Sequence, residues 1–257
     1  MVRSFLLWIL LVTVGWSQDT QNPPLPGFDL EGSDERAIRI ADEVMAACGG
    51  RDAWDNTHYV TWRHFGRRLH VWDKWSGNIR VEAKNTVILL NVHSRQGKAW
   101  KEGEKISHPD SLEQALQFGY EAWINDSYWL FLPFKLKDSG VTLKYLGERK
   151  TQDERDAETL SLTFKEVGVT PHNKYHVYVD KETHLVSQWD FFRDAADKEP
   201  RFSNPWLNYQ KYGKILLSDD RGRGKHSDIM VFDELPVAVF ESPEPVDLAK
   251  LLDNAAE

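Results

Sequence analysis

A chain of 257 residues with 41% hydrophobic and 28% charged residues can bury a sizeable core, as one large domain or two small ones. Its net charge of −8 argues against a nucleic-acid partner and against adhesion to anionic membrane surfaces. One cysteine, Cys48, excludes an internal disulfide, so stability must come from the core.

Residues 1–17 read as a secretory signal peptide rather than an uncleaved anchor. Arg3 gives a short basic start, Phe5 to Trp16 is almost wholly apolar, and Gly15-Trp16-Ser17 offers small residues before a cut. The run is too short for a lasting membrane span. Loss of Arg3 takes the charge from −8 to −9, and the mature chain is expected in the periplasm or another extracytoplasmic space. Residues 18–32, rich in Pro, Gly and polar side chains, read as an extended lead-in. Ser33 then has the character of an N-cap, and a helix is expected to Cys48, stopped by Gly49-Gly50. Ala37, Ala41, Val44, Met45 and Cys48 share one helical stripe, which makes Cys48 a buried structural residue.

From Thr57 the apolar period changes to alternation. Gly66-Arg67 suits a two-residue type II′ hairpin, which pairs His64 with Leu69 and Trp62 with Val71. Trp75-Ser76-Gly77 suits a three-residue turn that sets Val71 opposite Val81. Together these place Val60, Trp62, Leu69, Val71, Ile79, Val81 and Ala83 on one face, and put His64 and His70 on opposite faces. Thr86–Val92 is apolar on both faces, as in a covered strand, and Gly97–Ile106 has the polarity of an edge hairpin. Pro109 opens a second helix expected to reach Asn125, followed by a bulky apolar connection, Tyr128 to Phe134. Strands are expected at 141–147, 158–166, 174–180, 184–192, 206–212, 214–218 and 228–234. Pro243 and Pro245 lead into a short acidic tail at 243–257, and residues 33–242 form one domain.

Catalytic and metal signatures are sparse. No HExxH, paired CxxC, GxSxG or phosphate-binding Gly loop occurs, so no catalytic residue, metal or cofactor is expected. Asp219-Asp220-Arg221-Gly222-Arg223-Gly224 reads as a solvated turn, and Asn125-Asp126-Ser127 as a chance glycosylation pattern. Eleven tryptophans, nine of them after Ser17, suit either an ordinary sheet core or a curved sheet with an apolar concave face.

The signal peptide, the Gly-Gly-terminated helix, the long meander with one helical excursion and the hairpin Val177-Tyr178-Val179-Asp180-Lys181-Glu182-Thr183-His184-Leu185-Val186 together resemble the bacterial outer-membrane lipoprotein-sorting carriers. The segments Asn125-Asp126-Ser127-Tyr128-Trp129-Leu130 and Pro133-Phe134-Lys135-Leu136 look like those of secreted relatives of these carriers. The likeness spans roughly residues 33–242, although the chain is longer than typical carriers around Tyr128–Phe134. It implies an α+β fold, a curved antiparallel sheet forming an incomplete β-barrel covered by helices. It also implies a non-enzymatic carrier that holds a lipid, a lipoprotein acyl chain or another apolar ligand. No position is assigned to the arginine that tethers the helical lid in such carriers. Trp62, Val71, Val81, Leu160, Leu162, Phe164, Val177 and Trp189 are the expected wall of the cavity. The expected partners are an apolar ligand or lipoprotein and a membrane-associated protein, with the chain itself a monomer. An envelope sensor on the same fold and a secreted hydrolase are the competing readings.

Overall fold

The structure is a computed structural model that describes residues 21–165 and 168–255. The signal-peptide segment lies outside the described residues. In chain order the elements are α1 (Glu35–Ala47), α2 (Arg51–Asp55), β1 (Tyr59–His64), β2 (Arg68–Asp73), β3 (Asn78–Ala83), β4 (Thr86–Asn91), β5 (Gly97–Lys101), β6 (Glu104–Lys105) and α3 (Pro109–Phe131). There follow β7 (Val141–Lys150), β8 (Asp156–Phe164), β9 (Lys174–Asp180), β10 (Val186–Phe192), β11 (Phe202–Pro205), β12 (Leu207–Tyr212), β13 (Ile215–Asp220), β14 (His226–Phe232) and α4 (Leu248–Ala255).

The strands form an antiparallel seven-stranded sheet in the order β14-β1-β2-β3-β4-β5-β6, a five-stranded sheet β11-β10-β9-β8-β7 and the ribbon β12-β13. Among the described residues, hydrogen bonds do not close the sheets into a barrel. Helices cover them, so the fold is α+β with an incomplete-barrel architecture.

The start of α1 is stitched to β7. Asp34, rather than Ser33, is its N-cap residue, and the Asp34 carboxylate accepts from Tyr145 N–H and Lys144 Nζ, each at 2.9 Å. The Ser33 hydroxyl accepts from Leu143 N–H at 2.9 Å. The expected stripe of α1 is buried, including Cys48, whose thiol is pushed up to about 12 by burial. At the other end Gly49 has φ +115°, and a Cβ there would stand 2.5 Å from the carbonyl oxygen of Lys214, so only glycine lets the helix end pass the β13 approach.

Two turns differ from expectation by one residue each. Phe65, Gly66 and Arg67 form a three-residue turn closed from Arg67 N–H to His64 O at 2.9 Å, with Phe65 at φ +47°. The Phe65 ring is held against Trp129 and His226 at 5.3 and 5.0 Å, contacts that offset the strain of a left-handed aromatic residue. Trp62 therefore pairs with His70, and Thr61 with Val71. The second turn runs from Lys74 to Gly77. Asp73 shapes it by accepting from Trp75 N–H, Ser76 N–H and the Ser76 hydroxyl, and Val71 meets Arg80. The slips cancel for β3, so Val60, Trp62, Ile79 and Val81 keep one inner face. They do not cancel for β2: Leu69 and Val71 turn outward, and His70 and Trp72 turn inward.

Helix α3 runs to Phe131, beyond the expected end, because no breaker stands before Pro133 and the ring-rich segment 128–131 finds apolar walls on both sides. Its first half lies on β4, where Gly119 leaves no room for a Cβ: one would stand 2.8 Å from Ile88 Cγ2. Its second half fills the space between the sheets. Phe131 meets Trp62 at 5.2 Å, Trp129 meets Trp189 at 4.7 Å and Tyr128 meets Tyr175 at 5.9 Å.

The outer face of the seven-stranded sheet is covered by residues 235–251. Val71 and Phe232 pack there with Val239 and Leu251. Arg80, fully buried, donates to the carbonyls of Val239, Ser242 and Glu244 and to Glu82 Oε1, which also accepts from Val246 N–H at 2.8 Å. One cation thus organises a segment that has no strand partner of its own.

Candidate functional site

Seven of the eight expected wall residues are brought together. Leu160, Val177 and Trp189 are cross-strand neighbours on the inner face of the five-stranded sheet, with Leu162 and Phe164 further along β8. Trp62 and Val81 belong to the same core. Val71 is the exception and lies outside under the C-terminal segment, for the register reason above. Except for half-buried Phe164 the seven are buried, and the rings of α3 occupy the space they face. None of them lines either of two surface clefts, of about 370 and 320 Å³.

A cleft of about 370 Å³ opens instead beside α1 and α2, between the end of β2 and the connection 133–138. Its apolar lining comes from Leu25, Ala41, Met45, Trp54, Trp72, Phe134 and Leu136. Trp54, on the short helix after Gly50, is stacked on Phe134 at 4.5 Å and stands edge-on to Trp72 at 6.2 Å. Trp75 is 61% exposed at the rim, where its ring is stacked on His58 at 3.7 Å and its indole N–H donates to Asp55 O at 3.0 Å. The aromatic floor is therefore preformed.

Four cations line the same cleft: Arg51, Lys74, Lys135 and Lys137, against the carboxylates of Asp55 and Asp138. Lys74 Nζ donates to the carbonyls of Trp54 and Thr57 and sits 3.7 Å from the centroid of Trp54. Burial pushes Lys74 down to about 7, more than the attraction of Asp55 restores.

A second constellation was hidden from sequence reasoning by the register. Asp126, fully buried on α3, accepts from Arg68 Nε and Nη2 at 2.6 and 2.7 Å and from His70 Nε2 at 2.7 Å, with His64 Nε2 at 3.4 Å. His64 and His70 thus share one face rather than opposing each other. Burial alone would raise the Asp126 carboxyl, but hydrogen bonds from His70 and Arg68 hold it well below the usual carboxylate range. Burial pushes His64 down to about 4, outweighing the attraction of Asp126. The stable arrangement is a carboxylate that accepts from one guanidinium and from the neutral His70 imidazole, with a neutral His64 beside it. It fastens α3 to β2. Arg221 fastens the end of α3 a second time, by donating to Trp129 O at 2.6 Å while lying over the Trp206 ring. Arg221 is 1% exposed, so the turn expected to be solvated sends one side chain into the core. Among the described residues no group of three or more His, Cys, Asp or Glu side chains is placed to hold a metal ion, and no helix is long and apolar enough to cross a membrane.

No protein-family model matches the chain, and no curated protein does. Among solved structures it is similar to a DUF1329 family protein from Desulfovibrio piger, with 15% identity, 81% of this chain and 98% of that chain covered, and a TM-score of 0.42. An uncharacterized conserved protein from Thermus thermophilus shares 13% identity over 83% of this chain and 97% of its own, with a TM-score of 0.25. MucB, solved in complex with MucA(peri), shares 13% identity over 72% of this chain and 62% of its own, with a TM-score of 0.24. The likeness is distant and does not single out the lipoprotein-sorting carriers.

Proposed function

We propose that this chain is an extracytoplasmic, non-enzymatic binding protein that holds the apolar part of a lipid, a lipoprotein acyl chain or a comparable molecule in the cleft beside α1 and α2. The observation that carries this reading is the preformed aromatic and aliphatic floor, Trp54, Trp72, Phe134, Met45 and Leu25, in a cleft of about 370 Å³. That volume lies near the lower end of small-molecule sites, which span roughly 300–1,000 Å³. Burying about six methylenes at roughly 0.8 kcal/mol each gives about 5 kcal/mol, so hydrocarbon alone is held with a Kd on the order of 0.1 mM. A tighter complex needs either a polar anchor or further apolar wall.

The inner-face residues Trp62, Val81, Leu160, Leu162, Phe164, Val177 and Trp189 supply such wall only if the C-terminal half of α3 withdraws its rings. The cleft needs no such movement, which favours it as the first point of contact. Leu25 is 37% exposed, so Leu25→Asp changes the cleft without opening the core. The neutral dye Nile red should brighten on binding the wild-type chain and bind Leu25→Asp at least about fivefold more weakly, about 1 kcal/mol. Equal binding by Leu25→Asp, with loss of binding in a folded Leu162→Asp variant, would move the site under α3 and refute the cleft.

A further inference from the structure

The cations of the cleft are unevenly matched. Arg51 is paired with Asp55 at 2.7 Å, Lys135 with Asp138 at 2.9 Å and Lys137 with Asp42. Among the described residues Lys74 has no carboxylate within ion-pair distance; its partners are two carbonyl oxygens and the face of Trp54. An ammonium has three donors, and two carbonyls leave one to spare. The lining as a whole carries four cationic side chains and two carboxylates, in a chain whose net charge is −8. A local cationic excess on an acidic protein, set at the mouth of an apolar floor, is the charge complement of a molecule with a negative head and a hydrocarbon body.

We propose that the cleft takes a single-chain anionic amphiphile, its carboxylate or phosphate head paired with Lys74 and its chain laid on Trp54, Trp72 and Phe134. This rests on the reading of the cleft as an apolar binding site and names the class of ligand it selects. Arg51 and Lys135, each already paired, flank the head and contribute at longer range. Asp55 and Asp138 disfavour a second negative charge beyond the head. Lys74 in the free cleft holds its proton weakly because it is buried, with a value of about 7. A bound anion restores the charged form, so binding takes up a proton. The charges acting on Lys74 are those of Asp55 and Arg51 from α2 and of Lys135 from the connection after α3, and Lys137 and Asp138 line the same cleft. Decanoate, whose charge is constant over this range, should therefore bind more weakly as pH rises from about 6 to 9, whereas decanol should not respond.

The test is calorimetric titration of the full chain with four probes that share a decyl chain: decanoate, decyl phosphate, decanol and decyltrimethylammonium. Decanoate or decyl phosphate should bind on the order of tenfold more tightly than decanol, with decyltrimethylammonium weakest. The stronger of the two anions identifies the head. Lys74→Met keeps the stem and removes the charge. It should bring the anion down to the affinity of decanol and leave decanol unchanged. The wild-type pH series gives the same information should Lys74→Met fail to fold. If decanol and the anions bind equally and without pH dependence, the head-group assignment is overturned while the apolar cleft stands. If none of the four binds, both fall.

Discussion

Replacing Asp126 by Asn isolates the interaction that fastens α3 over the sheets. The carboxylate is fully buried and receives a forked pair of bonds from Arg68 at 2.6 and 2.7 Å and one from His70 at 2.7 Å. An asparagine can accept at one oxygen only, and its NH₂ faces donors that already point inward. Removing one partner of a buried ion pair costs about 3–5 kcal/mol, because the remaining charge is left without compensation. For a chain of this size that corresponds to a fall in Tm of roughly 6–20 °C at about 2–4 °C per kcal/mol. Urea denaturation followed by tryptophan fluorescence measures it directly, and the midpoint should fall at unchanged slope. Adding Arg68→Met to Asp126→Asn removes the orphaned charge and should recover part of the loss. A loss below about 1 kcal/mol for Asp126→Asn, or no recovery in the double variant, would show that the pair is screened and that α3 is held by its rings alone.

Two further outcomes follow from buried groups elsewhere. His64 is pushed from 6.5 to about 4, so the unfolded chain binds a proton that the folded chain refuses. This contribution to stability is full above pH 6.5 and is lost as pH falls towards about 4, by up to about 3 kcal/mol. Burial lowers His226 in the same direction. Urea midpoints should drop across this range, less steeply in His64→Gln; midpoints that do not change with pH would contradict the assignment. Arg80→Met should release residues 235–251 from the outer face, so that limited proteolysis cuts there roughly tenfold faster while the sheet retains its circular dichroism. Unchanged cutting would mean that Val239, Leu251 and Phe232 hold the segment without the arginine.

Much of the fold was legible because period and punctuation agreed. The α1 stripe, the Gly49-Gly50 stop and the 174–180 strand all appear where the residues place them. The local preference of Gly66 and Gly77 predicts turns one residue shorter, but Phe65 adopts a left-handed conformation that its contacts with Trp129 and His226 make tolerable. Such a tertiary effect has no local signal. One slipped residue then moved Val71 out, brought His70 in and concealed the Asp126 constellation. The end of α3 carries no local signal for a related reason: Tyr128 to Phe131 is apolar at every position, with Leu130 and Phe131 buried and Tyr128 and Trp129 partly buried against the same core, so it shows no helical polarity. Lys74 gave no warning either, since a lysine at a strand end is ordinarily solvated. Only the fold sets it over Trp54.

The most direct test of ligand binding beside α1 and α2 is a crystal structure of the full chain soaked with decanoate brominated at its terminal carbon. Anomalous scattering then locates the chain end without reference to any assumed pose. The bromine should lie among Met45, Trp54, Trp72 and Leu136, with the carboxylate towards Lys74. A bromine beneath α3, between Trp62, Leu162 and Trp189, or no bound probe at all, would contradict the account.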